Sequence, residues 1–191
     1  PEAVREHYQR YPADFPYWSQ VWPAALGLCQ FLEQHAEYIK GKKVLELAAG
    51  LALPSFLAAK YSREVHCSDY VPEAVALQQQ TIDHLRLTNV HCSLLDWNSI
   101  PDTLKADVLL LSDVNYDPWV FDIVYAAITR FMEEGTLIIL STPQRLMAKT
   151  FVERLLTFAV AQEELTVHKE GKSIPITIMV LSASPLSDHI P

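Results

Sequence analysis

The stretch Val44-Leu45-Glu46-Leu47-Ala48-Ala49-Gly50-Leu51-Ala52-Leu53-Pro54 passes from a short apolar run into very small residues and then to a proline. Val44–Leu47 reads as a buried strand. Ala48–Ala52, small except for Leu51, reads as a loop whose backbone a ligand can approach closely. Leu53–Tyr61 reads as a helix whose free N–H groups face that loop.

Working outward, strand and helix patterns alternate. Pro23 suits the first turn of a helix through Ala25, Leu28, Cys29 and Leu32, with Gly41 as a stop near its end. Glu64–Ser68 reads as a second strand and Pro72–Leu87 as a long helix. Val90–Leu95 is a third strand and Val108–Ser112 a fourth. Pro118–Met132 reads as a helix, Thr136–Ser141 as a fifth strand and Arg145–Ala159 as a helix. Glu164–His168 and Ile174–Ser182 then follow as strands with only a turn at Glu170–Lys172 between them. Apolar strands separated by helices imply a sheet covered on both faces and joined by right-handed crossovers. The pattern predicts a Rossmann-like, doubly wound α/β fold. Its seven-stranded sheet is mostly parallel, and the final hairpin supplies one antiparallel strand.

The chain has 191 residues, enough for one domain with a sizeable core. We expect an arm over residues 1–23, with prolines at 1, 12, 16 and 23, and a single domain over 24–191. Half of the residues are hydrophobic, a fifth are charged, and the formal net charge is −8. That balance excludes a disordered chain and disfavours a broad basic face for nucleic acid. No apolar run is long enough to span a bilayer. Ala24–Leu28 has no basic region or cleavage site around it, so no secretory signal is expected. Three cysteines without a CxxC pair point to neither a disulfide framework nor a zinc ribbon, and fit a reducing cytoplasm. A monomer is expected.

In a doubly wound sheet, ligands lie beyond the C-terminal strand ends. Four carboxylates sit at such ends: Glu46, Asp69 in Ser68-Asp69, Asp96 in Leu95-Asp96-Trp97, and Asp113 in Asp113-Val114-Asn115-Tyr116. Asp69 stands 23 residues after Glu46, a position from which a carboxylate accepts ribose hydroxyls. The loop is a poor dinucleotide fingerprint: of G-x-G-x-x-G only Gly50 matches, and there is no P-loop lysine. Glu46 beside the loop repels a pyrophosphate, so a ligand with a cationic or amino-acid end fits better.

Val21-Trp22-Pro23-Ala24-Ala25, Val44 to Pro54, Ser68-Asp69, Leu95-Asp96-Trp97 and Asp113-Val114-Asn115-Tyr116 together resemble the class I, seven-β-strand S-adenosylmethionine-dependent methyltransferases. More narrowly, they resemble the family-16 group of protein-lysine and nicotinamide N-methyltransferase-like enzymes. The resemblance covers roughly Trp18 to Ser182. It implies S-adenosyl-L-methionine as cofactor and a nitrogen acceptor, expected to be a protein lysine. A small-molecule amine, or a catalytically inactive cofactor-binding module of the same fold, is the alternative.

The resemblance also implies roles. Glu46 and the Ala48–Gly50 backbone line the methionine end of the cofactor. Asp69 holds the ribose with Tyr70 beside it, and Asp96 and Trp97 clamp the adenine. Asp113 and Tyr116 sit where the methyl meets its acceptor, and Trp22 closes over the site. The family usually has glycine where this chain has Ala48 and Ala52. That departure is mild at negative φ and harmful at positive φ.

Each assignment has a plainer counterpart. Glu46 can pair with a lysine, Asp69 and Asp96 can cap a helix or turn, and Asp113 with Tyr116 can be a structural pair. The pairs His66-Cys67 and His91-Cys92 invite a metal reading. Adjacent strand residues point to opposite faces, so no metal site is expected. A nicotinamide-dependent oxidoreductase is disfavoured by the loop.

Overall fold

The computed structural model describes residues 16–115 and 117–183. Seven strands form one sheet in the order β3-β2-β1-β4-β5-β7-β6. They are β1 Lys43–Glu46, β2 Glu64–Asp69, β3 Val90–Leu94, β4 Val108–Ser112, β5 Leu137–Pro143, β6 Ala159–Lys169 and β7 Lys172–Leu181. The first five run parallel, and β7 is antiparallel to both of its neighbours. The doubly wound arrangement expected from the alternation is therefore present, with the terminal hairpin supplying its one antiparallel strand.

Among the described residues, five α-helices cover the sheet: α1 Pro23–Gln34, α2 Leu53–Ala58, α3 Pro72–Leu85, α4 Phe121–Glu133 and α5 Lys149–Leu155. Proline lies in the opening turn of α1, α2 and α3, where its missing N–H leaves no intrahelical bond unmade. Strand alternation splits the core in two. Val44, Val108, Leu110 and Ile139 pack with Leu28, Phe31 and Leu32 of α1, Ala58 of α2 and Ile82 of α3. Leu45, Leu109, Leu111, Ile138 and Leu140 pack on the other face with Val124, Ile128 and Phe131 of α4 and Phe151 and Leu155 of α5. α1 crosses close over β7, where a Cβ on Gly27 would lie 2.8 Å from a methyl carbon of Ile176.

Several elements differ from expectation, among them α1, which ends at Gln34 well before the Gly41 stop. The helix expected over Pro118–Met132 opens as a 3₁₀ turn, Pro118–Val120, whose Trp119 N–H donates to the capping Asp117 carboxylate. The helix expected over Arg145–Ala159 shrinks to α5 between the 3₁₀ turns Leu146–Ala148 and Leu156–Phe158. β6 takes Ala159, the last residue expected in that helix, because pairing extends back to it opposite Leu181. Small apolar residues at 159–161 suit either state locally, and the long β7 partner decides. Residues 1–15 of the expected arm lie outside the described residues. Among the described residues, no helix is long and apolar enough to cross a membrane.

Candidate active site

The strand order reverses between β1 and β4, and a cavity of about 640 Å³ opens there at the C-terminal strand ends. Its wall includes the Ala48–Leu53 loop, Asp69 and Tyr70 after β2, Trp97 after β3, Asp113 after β4 and Arg145 after β5. The segment before α1 roofs it with Tyr17, Trp18 and Trp22. Trp22 Nε1 donates to the Tyr17 carbonyl at 2.9 Å, and the two rings stack with centroids 6.1 Å apart. Ser141 Oγ donates to the Ala24 carbonyl and fastens the start of α1 to the end of β5, which holds the roof against the sheet.

Asp69 organises the loop. One carboxylate oxygen accepts the Gly50 N–H at 2.8 Å and the other the Val71 N–H at 3.0 Å. Burial raises its pKa, and the backbone N–H groups of Val71, Gly50 and Tyr70 pull it back. Gln78 from α3 donates to the Gly50 carbonyl at 2.8 Å, so both peptide groups of that residue are held. Gly50 has φ +52°, and a Cβ there would meet the Trp18 carbonyl oxygen at 2.9 Å. Both the conformation and the close approach of the roof require glycine at this position.

Ala48 (φ +53°) and Ala52 (φ +55°) are also left-handed, the costly case foreseen for these two positions. Relief should differ between them. Ala48 is half-buried, so Ala48→Gly is expected to stabilise the fold by ~1 kcal/mol and raise Tm by about 2–4 °C. Ala52 is fully buried, and losing its methyl costs ~0.8 kcal/mol, so Ala52→Gly is expected to be near neutral. Thermal melts of both variants check the contrast, and a loss of stability in Ala48→Gly would show that the strain is absent.

Glu46 does not reach the cavity wall. It lies beneath the loop at 0% exposure, and one oxygen accepts from Ser55 N–H (3.0 Å) and Ser55 Oγ (2.5 Å) at the start of α2. Its other oxygen, Oε1, has no hydrogen-bond partner. Burial pushes this carboxyl up to about 8 against the downward pull of the Ser55 bonds, and Asp69 adds to the rise. The same burial, seconded by Glu46, pushes the Cys29 thiol up to about 12.

Trp97 lines the cavity, while Asp96 is exposed outside it and caps the Trp97–Ser99 turn by accepting the Asn98 N–H at 2.8 Å. Asp113 stands in the wall at φ +58°, a left-handed conformation that aspartate tolerates better than most residues. Its backbone N–H bonds the Ser141 carbonyl. Nearby, Thr142 Oγ1 donates to Asn115 Oδ1 and ties the loop after β4 to β5. Tyr116 lies outside the described residues.

Arg145 is the wall residue that sequence reading missed. Its guanidinium forks onto Asp113, Nη1 to Oδ1 and Nη2 to Oδ2, the latter at 3.0 Å. The available signal was its place: an arginine just past the end of β5, beside the aspartate that ends β4.

The two histidine–cysteine pairs are engaged elsewhere. His66 Nε2 is 2.7 Å from Ser93 Oγ, His91 Nε2 is 3.2 Å from Glu64, and Cys67 is buried in the core. Among the described residues, no group of three or more ligating side chains is placed to hold a metal.

A family model described as lysine methyltransferase matches residues 17–158. Histone-arginine methyltransferase METTL23 of Homo sapiens is 35% identical over 143 residues, 71% of this chain and 75% of that protein. Protein N-lysine methyltransferase METTL21A of Danio rerio is 30% identical over 127 residues, 63% of this chain and 58% of that protein. EEF1A lysine methyltransferase 3 of Mus musculus is 32% identical over 131 residues, 67% of this chain and 50% of that protein. The chain thus spans about half the length of several relatives it matches.

Among solved structures, N-methyltransferase NodS of Bradyrhizobium japonicum, in complex with S-adenosylhomocysteine, superposes with a TM-score of 0.65 at 15% identity. That match covers 92% of this chain and 97% of NodS. A putative RNA methyltransferase of Pyrococcus horikoshii also gives 0.65, at 16% identity over 86% of this chain and 88% of that one. At such identities these two establish the fold. With the family model matching most of its length, the chain belongs to the lysine methyltransferase family of class I, S-adenosylmethionine-dependent methyltransferases.

Proposed function

We propose that the chain transfers a methyl group from S-adenosyl-L-methionine to a nitrogen of a protein side chain, lysine first among the candidates. The observation that carries this reading is the single cavity uniting a glycine-anchored loop, the Asp69 carboxylate, the Trp97 ring and the Asp113 carboxylate. Its volume is in the range of small-ligand sites. The residues fit the cofactor. The Ala48–Gly50 backbone and Tyr70 would hold its methionine and ribose portions, Asp69 would serve the ribose, and Trp97 would offer a flat apolar surface to the adenine. Asp96 acts through the turn it caps, which presents Trp97, and Glu46 supports the loop from below.

When bound, the cofactor supplies a methyl group already activated by its sulfonium. The protein's work is then alignment and exclusion of water, and alignment alone is worth ~7–11 kcal/mol. Trp22 and Tyr17 form the roof that excludes solvent. An amine acceptor attacks only when neutral, because its ammonium form has no lone pair. Asp113 orients the nitrogen by accepting one N–H at its carboxylate oxygens, and passes the released proton to water. The acidic chain favours basic partners on encounter. The three described cysteines are free thiols, which supports a reducing, cytoplasmic setting.

One observation favours arginine as a second reading. Asp113 already holds a guanidinium in fork geometry, and the human relative is named a histone-arginine methyltransferase.

Calorimetric titration with S-adenosylhomocysteine tests the cofactor, with an expected Kd in the micromolar range. No heat up to high micromolar concentration would overturn the reading. Transfer of labelled methyl to lysate proteins then separates an enzyme from an inactive binding module.

A further inference from the structure

The charged groups on the cavity wall are Asp69 and Glu73 on the β2 side and Asp113 and Arg145 on the β4–β5 side, with Tyr17 and Tyr70 as the other titratable neighbours. Both Asp69 oxygens are held by backbone donors that cannot leave without dismantling the loop. Asp113 differs, because both of its oxygens are held by a side chain. Arg145 is 29% exposed and Asp113 only 7%. Left alone, a carboxylate so buried would be unfavourable, and Arg145 is the side chain that satisfies it.

Building on the proposed reaction, in which Asp113 holds the acceptor nitrogen, we propose that Arg145 is an internal stand-in for the acceptor. Its guanidinium takes the seat on Asp113 that a cationic acceptor must take, so acceptor binding and Arg145 release are one exchange. The carboxylate has lone pairs for further donors, but a second full positive charge beside the guanidinium is repelled. Asp113 itself discriminates between acceptors. A guanidinium replaces both parallel hydrogen bonds of the fork, whereas an ammonium presents a point charge and replaces them less well. Arg145 is directly followed by Leu146 and Met147, which are 90% and 55% exposed. A protein acceptor that touches this apolar pair touches the turn that carries the guanidinium, coupling docking to release.

The test uses two probes, n-butylammonium and ethylguanidinium, titrated by NMR at matched ionic strength into the chain saturated with S-adenosylhomocysteine. Arg145→Gln is expected to bind both at least ~10-fold more tightly than the unaltered chain, the scale typical of a close charge pair. Both should gain by a similar factor, because each releases the same guanidinium. Adding Asp113→Asn should abolish the gain. Equal affinities with and without Arg145 would overturn the proposal, and so would a gain that survives Asp113→Asn. Arg145→Lys keeps the charge without the fork and should fall between. It decides the matter by the same comparison if the glutamine variant does not fold. Failure of S-adenosylhomocysteine to bind would instead count against the cofactor reading, and the probe titration on the ligand-free chain still decides the role of Arg145.

Discussion

Asp113→Asn is expected to lower kcat by ~10²–10⁴, the range usual for a positioned group that handles a proton, while changing S-adenosylhomocysteine affinity by less than about threefold. Asparagine is the informative replacement for two reasons. It keeps the shape of the side chain, and it tolerates the left-handed backbone that residue 113 adopts, so the loop after β4 should stay in place. What it removes is the negative charge and two acceptor lone-pair sites. Arg145 loses its ionic partner but is partly exposed, so water can solvate it. Asp69→Ala should behave in the opposite way. It unties Gly50 and Val71 together and strikes the loop against which the cofactor packs, so affinity should fall well before turnover at saturation does. Steady-state kinetics with saturating cofactor, paired with calorimetry on both variants, separate the two effects. Equal losses of affinity and turnover in both variants would refute this division of labour.

How far the sequence could be read depends on which interactions are local. Pro23 and Pro72 begin α1 and α3 where the one-dimensional rule puts them, because a missing N–H is a property of the residue itself. Val108–Ser112 emerges as β4 with its expected limits, since a run apolar at both parities suits only a strand covered on two faces. The boundary between α5 and β6 was not legible. Ala159, Val160 and Ala161 are decided by β7, whose partnering residues lie about 20 positions downstream.

The site divides in the same way. Asp69, Trp97 and Asp113 reach the cavity because strand ends in a parallel sheet share one rim. Glu46, also at a strand end, turns beneath the loop instead, drawn by the Ser55 N–H and hydroxyl once α2 folds over it. The residue that engages Asp113 stands 32 positions away and becomes its neighbour only through the pairing of β4 with β5. The positive φ at Ala48 and Ala52 was legible only through the resemblance, which puts glycine there: the residue type argues against it, and the loop geometry set by Gly50 and Asp69 overrides the local preference.

Glu46 leads to the largest expected effect on stability. The carboxyl is fully buried, Oε1 has no donor, and ionisation in such a place is expensive. Its folded-state pKa of about 8 stands above the ordinary 4.5, so between these values the native chain holds a proton that the unfolded chain has released. Stability must then fall as pH rises through that window. The full contribution is present below about pH 4.5 and is lost by about pH 8. At ~1.36 kcal/mol per pH unit the span corresponds to roughly 5 kcal/mol, of which relaxation and water entry will return part. Glu46→Gln removes the titration and leaves an amide oxygen to accept both Ser55 bonds. Urea unfolding at pH 5 and pH 8 should therefore show two curves that converge at the lower pH and separate by several kcal/mol at the higher, with the glutamine variant the more stable. Histidines and other carboxylates titrate in both proteins and cancel in the difference. Parallel pH profiles for the two proteins would mean that Glu46 is ionised in the native state, and that its unpartnered oxygen has a donor or water beside it.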